Sequence, residues 1–416
     1  MPTVAYLANQ FPSPVEPYVF EEIGELRRRG VQVIPCSARR TDAMQEDQLQ
    51  SLAAETLYLQ PLGLLLLMRG AWLCLRRCTA LANILSRVLL QGGEPPARRA
   101  RTLLHTLLGA CYALKLQGRG VQHIHVHHGY FGSWVAMVAA RLLSIDYSLT
   151  LHGSDLLLHG VYLDTKLKCC AFCVTVSEFN RDFLLEHYPG VEPGKIMVRR
   201  LGVDLACTPT GAARPDRELP RLTMLAVGRL HPVKDHAFLL HACHELKSLG
   251  TDFLCLIAGE GPQRPWLEHL IRNLGLEAQV KLLGHLCRQE LDACYRLCDL
   301  VVLTSRSEGI PLVLMEAMAH CTTVLAPAIT GIPELVKHGE TGFLYHAGSL
   351  EDFVTQIEII RNSPTTLPRL RRAARQHVLE HFDREKNLAA LAELLVFRIT
   401  RKERHDAHEN PVLQQI

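Results

Sequence analysis

Two carboxylates eight positions apart, Glu308 and Glu316, stand in the stretch TSRSEGIPLVLME at residues 304–316. The apolar run before it, DLVVL at residues 299–303, has the pattern of a strand buried on both faces of a parallel sheet. The pattern breaks at residues 305–309, and Pro311 stands where a helix would begin. Residues 311–319 are apolar almost all round, which predicts a helix packed inside a domain. An ionised side chain is costly there without a partner. A ligand bearing hydroxyl groups would be the simplest partner for Glu316. Gly309, Ile310, Pro311 and Leu312 lie at the start of the helix, where the free N–H groups of its first turn (Pro311 having none) would hold an anion. A strand end, a glycine-containing loop, a helix start and two acids together predict a site for a polar, phosphorylated ligand at the carboxyl edge of a doubly wound sheet.

Other residues have types suited to the same chemistry. In VGRLHPVKD, residues 227–235, Gly228 closes a strand, and Arg229 and Lys234 put two cations on the following loop, as a diphosphate clamp requires. Gly259 opens the GEGP turn at residues 259–262, which permits close backbone approach. In the first half, TLHGSD at residues 150–155 ends a strand and sets His152 at the sheet's carboxyl edge. Asp155 would orient that histidine or cap the next helix. The strand HIHVH, residues 123–127, puts His123, His125 and His127 on one face. His127 and the turn at Gly129 are expected to line the ligand cleft. Three histidines are a start toward a metal site, but no carboxylate or cysteine nearby in sequence completes the set, so no metal is expected. Cys169, Cys170 and Cys173 lack the second pair a zinc site needs and read as buried thiols.

Three ordered segments, VGRLHPVKD, SEGIPLVLMEAMA and GIPELVKHGETGFLY (residues 331–345), resemble motifs of the retaining glycosyltransferases of family 4, which have the GT-B fold. Glu308-x7-Glu316 matches that family's pair of acids. The resemblance implies an α/β chain of two Rossmann-like domains facing across a cleft, with a nucleotide-diphosphate sugar of UDP or GDP type bound mainly by the second. Arg229 and Lys234 would neutralise the diphosphate, and Glu316 would bind the ribose. Glu308, with the N–H groups of Gly309 and Ile310, would hold the transferred hexose. Gly228, Gly259, Pro311 and Leu312 would complete the donor site. His152 would meet the sugar near the reacting carbon, so Glu308 and His152 are the candidate catalytic residues. His127, Gly129 and Asp155 would lie on the acceptor side. Transfer would be direct and same-faced, with no required metal or cofactor. The first loop, residues 9–16, lacks glycine and resembles an exopolysaccharide subgroup, so the acceptor would be a glycan or lipid-linked, in bacterial surface or exopolysaccharide synthesis. Two departures support an alternative, a catalytically inactive sugar-nucleotide-binding partner of a polysaccharide assembly. Cys321-Thr322-Thr323-Val324 stands where the family often has Gly-x-Pro-Val, and Thr330-Gly331 where it often has Gly-Gly.

The elements that must position these residues follow from the rest of the chain. Its 416 residues, 48% hydrophobic, suffice for two or three cored domains. A net charge of +3 is too small to argue for nucleic acid. Fourteen cysteines scattered through apolar runs suggest reduced thiols in a cytosol. The start, MPTVAYLANQF, lacks a basic segment followed by an apolar one, so no signal peptide is expected, and no apolar run approaches a membrane span. The expected organisation is an N-terminal domain at 1–206 with a helical insert at about 40–117, a linker at 207–221, and a nucleotide-sugar domain at 222–382. The helix and tail at 383–416 would cross back to the first domain, as the resemblance implies. The insert is Leu-rich over residues 62–90 and carries Arg69, Arg76, Arg77 and Arg87, then Arg98, Arg99 and Arg101. It reads either as a basic, apolar surface on the inner face of the cell membrane, making the protein cytoplasmic and peripheral, or as helices on a small core of their own.

Overall fold

The computed structural model describes residues 2–13, 16–39, 47–91, 93–158, 160–205 and 221–409. Apart from Arg221, the expected linker lies outside these residues, as do positions 40–46 of the insert and 410–416 of the tail. The chain divides into two compact units, one of residues 1–176, 180–199 and 388–416, the other of 177–179 and 200–387.

The first unit holds seven strands: β1 (Thr3–Gln10), β2 (Gln32–Arg39), β3 (Leu57–Tyr58), β4 (His123–His127), β5 (Asp146–Leu151), β6 (Phe172–Thr175) and β7 (Ile196–Val198). They pair in parallel in the order β3-β2-β1-β4-β5-β6-β7, so the winding reverses between β1 and β4. β4 is buried at all five positions, as a strand covered on both faces must be. Helices supply the covers. Phe131–Leu143 packs apolar residues such as Trp134 and Val138 against β4 and β5. On the other face Val19, Ile23 and Leu26 of helix Pro17–Arg28 cluster with Val4 and Tyr6. The final helix, Arg384–Glu409, adds Leu391, Leu395 and Ile399 to that same cluster.

The insert corrects the expectation of a purely helical segment on its own core. It contributes β3 to the sheet edge. Leu81, Ile84, Val88, Ala110 and Tyr112 from its helices share one cluster with Val126 and Leu149 of the central strands. Each such side chain stabilises the fold by roughly 1.5–3 kcal/mol when fully buried, so the insert is a layer of the domain's main core. Apolar side chains of the insert also stay outside: helix Leu64–Arg76 exposes Leu64, Leu65, Met68, Trp72 and Leu75, and Leu89, Leu90 and Leu104 are exposed beyond it. No described helix is long and apolar enough to cross a membrane.

The second unit holds β8 (Leu222–Val227), β9 (Phe253–Ala258), β10 (Val280–Gly284), β11 (Leu300–Val302), β12 (Thr323–Pro327) and β13 (Phe343–Tyr345). All pairs are parallel, in the order β10-β9-β8-β11-β12-β13. The reversal lies between β8 and β11. The loops carrying Arg229 and Glu308 leave those two strands, at the position where doubly wound sheets bind ligands.

Candidate active site

In the second unit, β8 runs out at Val227 and its loop meets the loop after β9 backbone to backbone. The N–H of Gly228 donates to Ala258 O at 2.9 Å, and that of Leu230 to Glu260 O at 2.9 Å. Gly259 has φ +147°, and a Cβ there would overlap the carbonyl of Gly228, so only glycine allows the approach. This packing leaves the Arg229 side chain exposed and, among the described residues, without an ion pair. Lys234 ends a short 3₁₀ turn, Pro232–Lys234, and its Nζ donates to Glu308 Oε1 at 2.5 Å. The loop after β11 is tied to this turn by Thr304 Oγ1, which donates to Lys234 O at 2.9 Å, and by Arg306 N, which donates to Val233 O at 2.9 Å.

Glu308 and Gly309 are held from a second side. Thr330 Oγ1 donates to Glu308 O at 2.7 Å, and a Cβ on Gly331 would overlap Gly309 O. The two departures from the family pattern have a backbone explanation. Cys321 and Thr330 both adopt left-handed φ, +55° and +47°, where glycine is the least strained residue. Thr330 offsets its strain with the hydroxyl bond to Glu308.

The helix after the loop, Leu312–Ala319, starts behind Pro311 with no side chain capping it. Glu316, one turn from its end, does not match the expectation of an acid lacking internal partners. Its carboxylate accepts from Arg288 Nη1 at 2.5 Å and from Tyr295 OH at 2.8 Å. Both come from helix Arg288–Leu297, so a paired acid at Glu316 does not by itself require a ligand. Glu308 is likewise paired, through Lys234. Two groups carry no signal in the sequence: the buried hydroxyls of Ser305 and Ser307, which have no hydrogen-bond partner among the described residues. Unpaired polar atoms beside Glu308 are a ligand signal that no spacing rule reveals.

In the first unit the residues named from sequence gather at the ends of β4 and β5. Asp155, fully buried, accepts from the N–H groups of Gly129 (2.9 Å), His152 (3.1 Å) and Gly153 (2.7 Å). It thus joins the β4 and β5 loops and holds His152 through the backbone, not the ring. The ring is placed by His127, whose Nδ1 lies 3.0 Å from His152 Nε2. His127 Nε2 in turn lies 3.1 Å from Glu22 Oε2, which also accepts from Tyr6 OH. Burial, with His128 and His127 nearby, pulls the His152 pKa well below the usual imidazole value, so the ring is neutral. His128 behaves oppositely. Burial alone would lower its pKa, but hydrogen bonds to Asp155 and Glu16 push it up to about 10. Burial likewise works against ionised Asp155, yet His128 and the N–H of Gly153 carry its pKa well below the carboxylate range.

The expectation that no carboxylate joins the histidine strand also needs correction. Glu22, His125 and His127 offer ligand atoms all within 4.8 Å of one another. Those atoms are engaged in hydrogen bonds: His125 Nδ1 lies 2.7 Å from Ser148 Oγ and its Nε2 lies 3.0 Å from Thr150 Oγ1. Glu22 arrives from helix Pro17–Arg28, about a hundred residues away in sequence.

Solved structures define the class. Anabaena HepE, crystallised in complex with UDP and glucose, aligns at a TM-score of 0.69 and 18% identity over 95% of this chain and 100% of its own. The fold is GT-B. Two family models then account for most of the sequence: "Glycosyltransferase Family 4" matches residues 15–206 and "Glycosyl transferases group 1" matches residues 213–377. The chain belongs to glycosyltransferase family 4. Among its relatives is a protein described as a colanic acid biosynthesis glycosyltransferase, WcaL of Salmonella typhimurium, 33% identical over 50% of this chain and 52% of WcaL. Glycogen synthase of Mycobacterium tuberculosis is 28% identical over 74% of this chain and 78% of its own. The chain spans about half the length of WcaL and of the other curated relatives it matches at 33–36% identity.

Proposed function

We propose that this protein is a retaining glycosyltransferase that moves a hexose from a nucleotide-diphosphate sugar, of UDP type, to a glycan or lipid-linked acceptor in bacterial surface or exopolysaccharide synthesis. The observation that carries this is Arg229, an exposed arginine without an ion pair at the β8–β11 switch point, in family-4 sequence context. Arg229 and Lys234 would receive the diphosphate, with Gly228 and Gly259 letting it approach the backbone. Glu316 would bind the ribose, supported from behind by Tyr295. Glu308, with Gly309, Ile310, Pro311 and Leu312, would hold the hexose, and Ser305 and Ser307 would gain partners when the site fills. In the first unit His152 is neutral and kept in orientation by His127, and it would serve with Asp155 and Gly129 on the acceptor side.

In the reaction the bond from the anomeric carbon to the diphosphate oxygen breaks, and the electron pair leaves with the nucleotide diphosphate. The acceptor hydroxyl forms the new bond on the same face, and its proton passes to the departing phosphate. Cationic groups are worth most at that phosphate, where negative charge develops. The residues present provide the charge without a metal being invoked.

The inactive-partner alternative rests on Thr323 and Thr330; Thr330 braces Glu308 through its hydroxyl, and Thr323 is buried in β12, where its Oγ1 accepts from Arg371 Nε at 2.9 Å, so neither is a defect in the Glu308 loop. Purified protein incubated with a panel of UDP- and GDP-sugars tests the proposal. One donor should raise the melting temperature, and nucleotide should be released once an acceptor extract is added. Binding with no turnover under any acceptor condition would overturn it.

A membrane role fits the exposed face of helix Leu64–Arg76. Trp72 and its apolar neighbours flank exposed Arg69 and Arg76, the composition of a helix lying on anionic lipid at the cytoplasmic surface. Trp72→Ala with Leu75→Ala should cut co-sedimentation with phosphatidylglycerol vesicles severalfold at an unchanged melting temperature; unchanged co-sedimentation removes this role.

A further inference from the structure

A cavity of roughly 240 Å³ opens in the first unit between the insert helix Pro96–Leu116 and the turn at Tyr130–Phe131. Its walls carry four basic side chains, Arg98, Arg101, His105 and Lys166, beside the rings of Trp134 and Tyr162. None of these four was assigned a part in the donor site or in the Asp155–His152 loop.

Lys166 is the informative member. Its residue is only 2% exposed, and its Nζ donates to the carbonyls of Gly129 (2.7 Å) and Tyr130 (3.0 Å). Among the described residues no carboxylate lies within ion-pair distance of it. The acids it senses from further off are already committed: Asp155 to His128 and three N–H groups, Asp164 to Arg87. A buried ammonium without a counter-charge is expensive, and its pKa is accordingly lowered by burial to about 7.

The arginines of the insert sort in the same direction. Arg87 pairs with Glu94, and Arg99 donates to the carbonyls of Glu94 and Leu89. Arg98 and Arg101 are exposed, without an ion pair among the described residues, and one turn apart. His105 follows one turn later, on the same helix face, and is uncharged because burial, with Lys166 and Arg101 beside it, pulls its pKa to about 4. Two guanidinium forks and an ammonium converging on one small cavity are matched to a dianion with several acceptor oxygens, and the flanking rings to an organic body behind it.

We propose that this cavity is a subsite for a phosphate ester, with Arg98, Arg101 and Lys166 holding the phosphoryl group and the Trp134 and Tyr162 rings packing against its organic part. Because Lys166 is bonded to Gly129 O, and Gly129 N to Asp155, occupancy would bear directly on the loop assigned to the acceptor. Calling the occupant an acceptor rests on the glycosyl-transfer proposal; the anion site does not.

Calorimetry on the full chain with glucose 1-phosphate, inorganic phosphate and glucose tests it. Glucose 1-phosphate should bind at least tenfold more tightly than glucose, and inorganic phosphate should compete with it. Arg98→Ala with Arg101→Ala should weaken that binding at least tenfold while the melting temperature holds, because both side chains are exposed. Equal affinity for glucose and its phosphate, or full affinity in the double variant, overturns the proposal. Vesicles containing phosphatidic acid, whose headgroup is a phosphomonoester, separate the two sources of such a group: displacement of glucose 1-phosphate assigns the site to a lipid headgroup, and no displacement assigns it to a soluble ester. These arms need no donor, so failure to turn over any nucleotide-sugar would leave their outcome intact.

Discussion

Replacing Glu316 by alanine separates ligand binding from internal structure. Its carboxylate accepts from Arg288 and from Tyr295 OH, and Tyr295 is fully buried. Deleting the carboxylate strands that hydroxyl, which costs about 1–3 kcal/mol of stability. In a unit of this size each 1 kcal/mol lowers the melting temperature by about 2–4 °C. If Glu316 also binds the ribose, the variant loses a charged hydrogen bond worth roughly 1.5–3 kcal/mol, or about 10- to 150-fold in nucleotide-sugar affinity. Tyr295→Phe is the control, since it removes the hydroxyl but keeps the acid. It should soften the fold and leave affinity within about threefold, because Arg288 still positions the carboxylate. Calorimetry with UDP-hexose and thermal unfolding on both variants provide the two readouts. If Glu316→Ala loses stability but binds the nucleotide-sugar as the parent does, the acid is a brace for Tyr295 and Arg288, and its place in the donor site is refuted.

Arg229→Ala should weaken UDP binding more than tenfold yet shift the melting temperature by no more than about 1 °C, as expected for an exposed side chain without an ion pair; unchanged affinity would remove it from the diphosphate site. His128 has a folded pKa of about 10, above the imidazole's ordinary value near 6.5, so its stabilisation is complete below about pH 6.5 and is lost as pH rises toward 10. Urea midpoints measured from pH 6.5 to 9.5 should fall in the parent and fall less in His128→Gln; parallel slopes would rule out this linkage. Gly331→Ala pushes a methyl group onto Gly309 O, which should lower the melting temperature by several degrees and kcat at least tenfold, whereas normal turnover would show that the Glu308 loop tolerates displacement.

Much of the second unit was legible because its signals are local. The apolar run before Thr304, the break at Ser305 and the apolar turn after Pro311 each follow from a few consecutive side chains, and β11, its loop and helix Leu312–Ala319 stand there. The same holds for Arg229, Lys234 and Gly259, whose loops come straight off β8 and β9. In the first unit the alternation in HIHVH placed three histidines on one face, and His127 does reach His152. The insert was less legible. Its Leu-rich helices carry the same pattern whether they cover a central sheet, a private core or a membrane, since burial of an apolar stripe does not name the surface it meets.

What the sequence by itself determined was the backbone plan: which runs are strands, where loops break them, and which chemical groups those loops carry. Periodicity and turn residues act over a few positions, so they can be read without knowing the fold. Only the tertiary structure decided the pairings: Glu316 with Tyr295, Glu308 with Lys234, Glu22 with His127, and Lys166 with two backbone carbonyls. Charges and hydroxyls pair through space, and with 45 lysines and arginines facing 42 acids many pairings are chemically equivalent. Sheet order and helix packing choose among them, because they alone set which side chains come within a few ångströms.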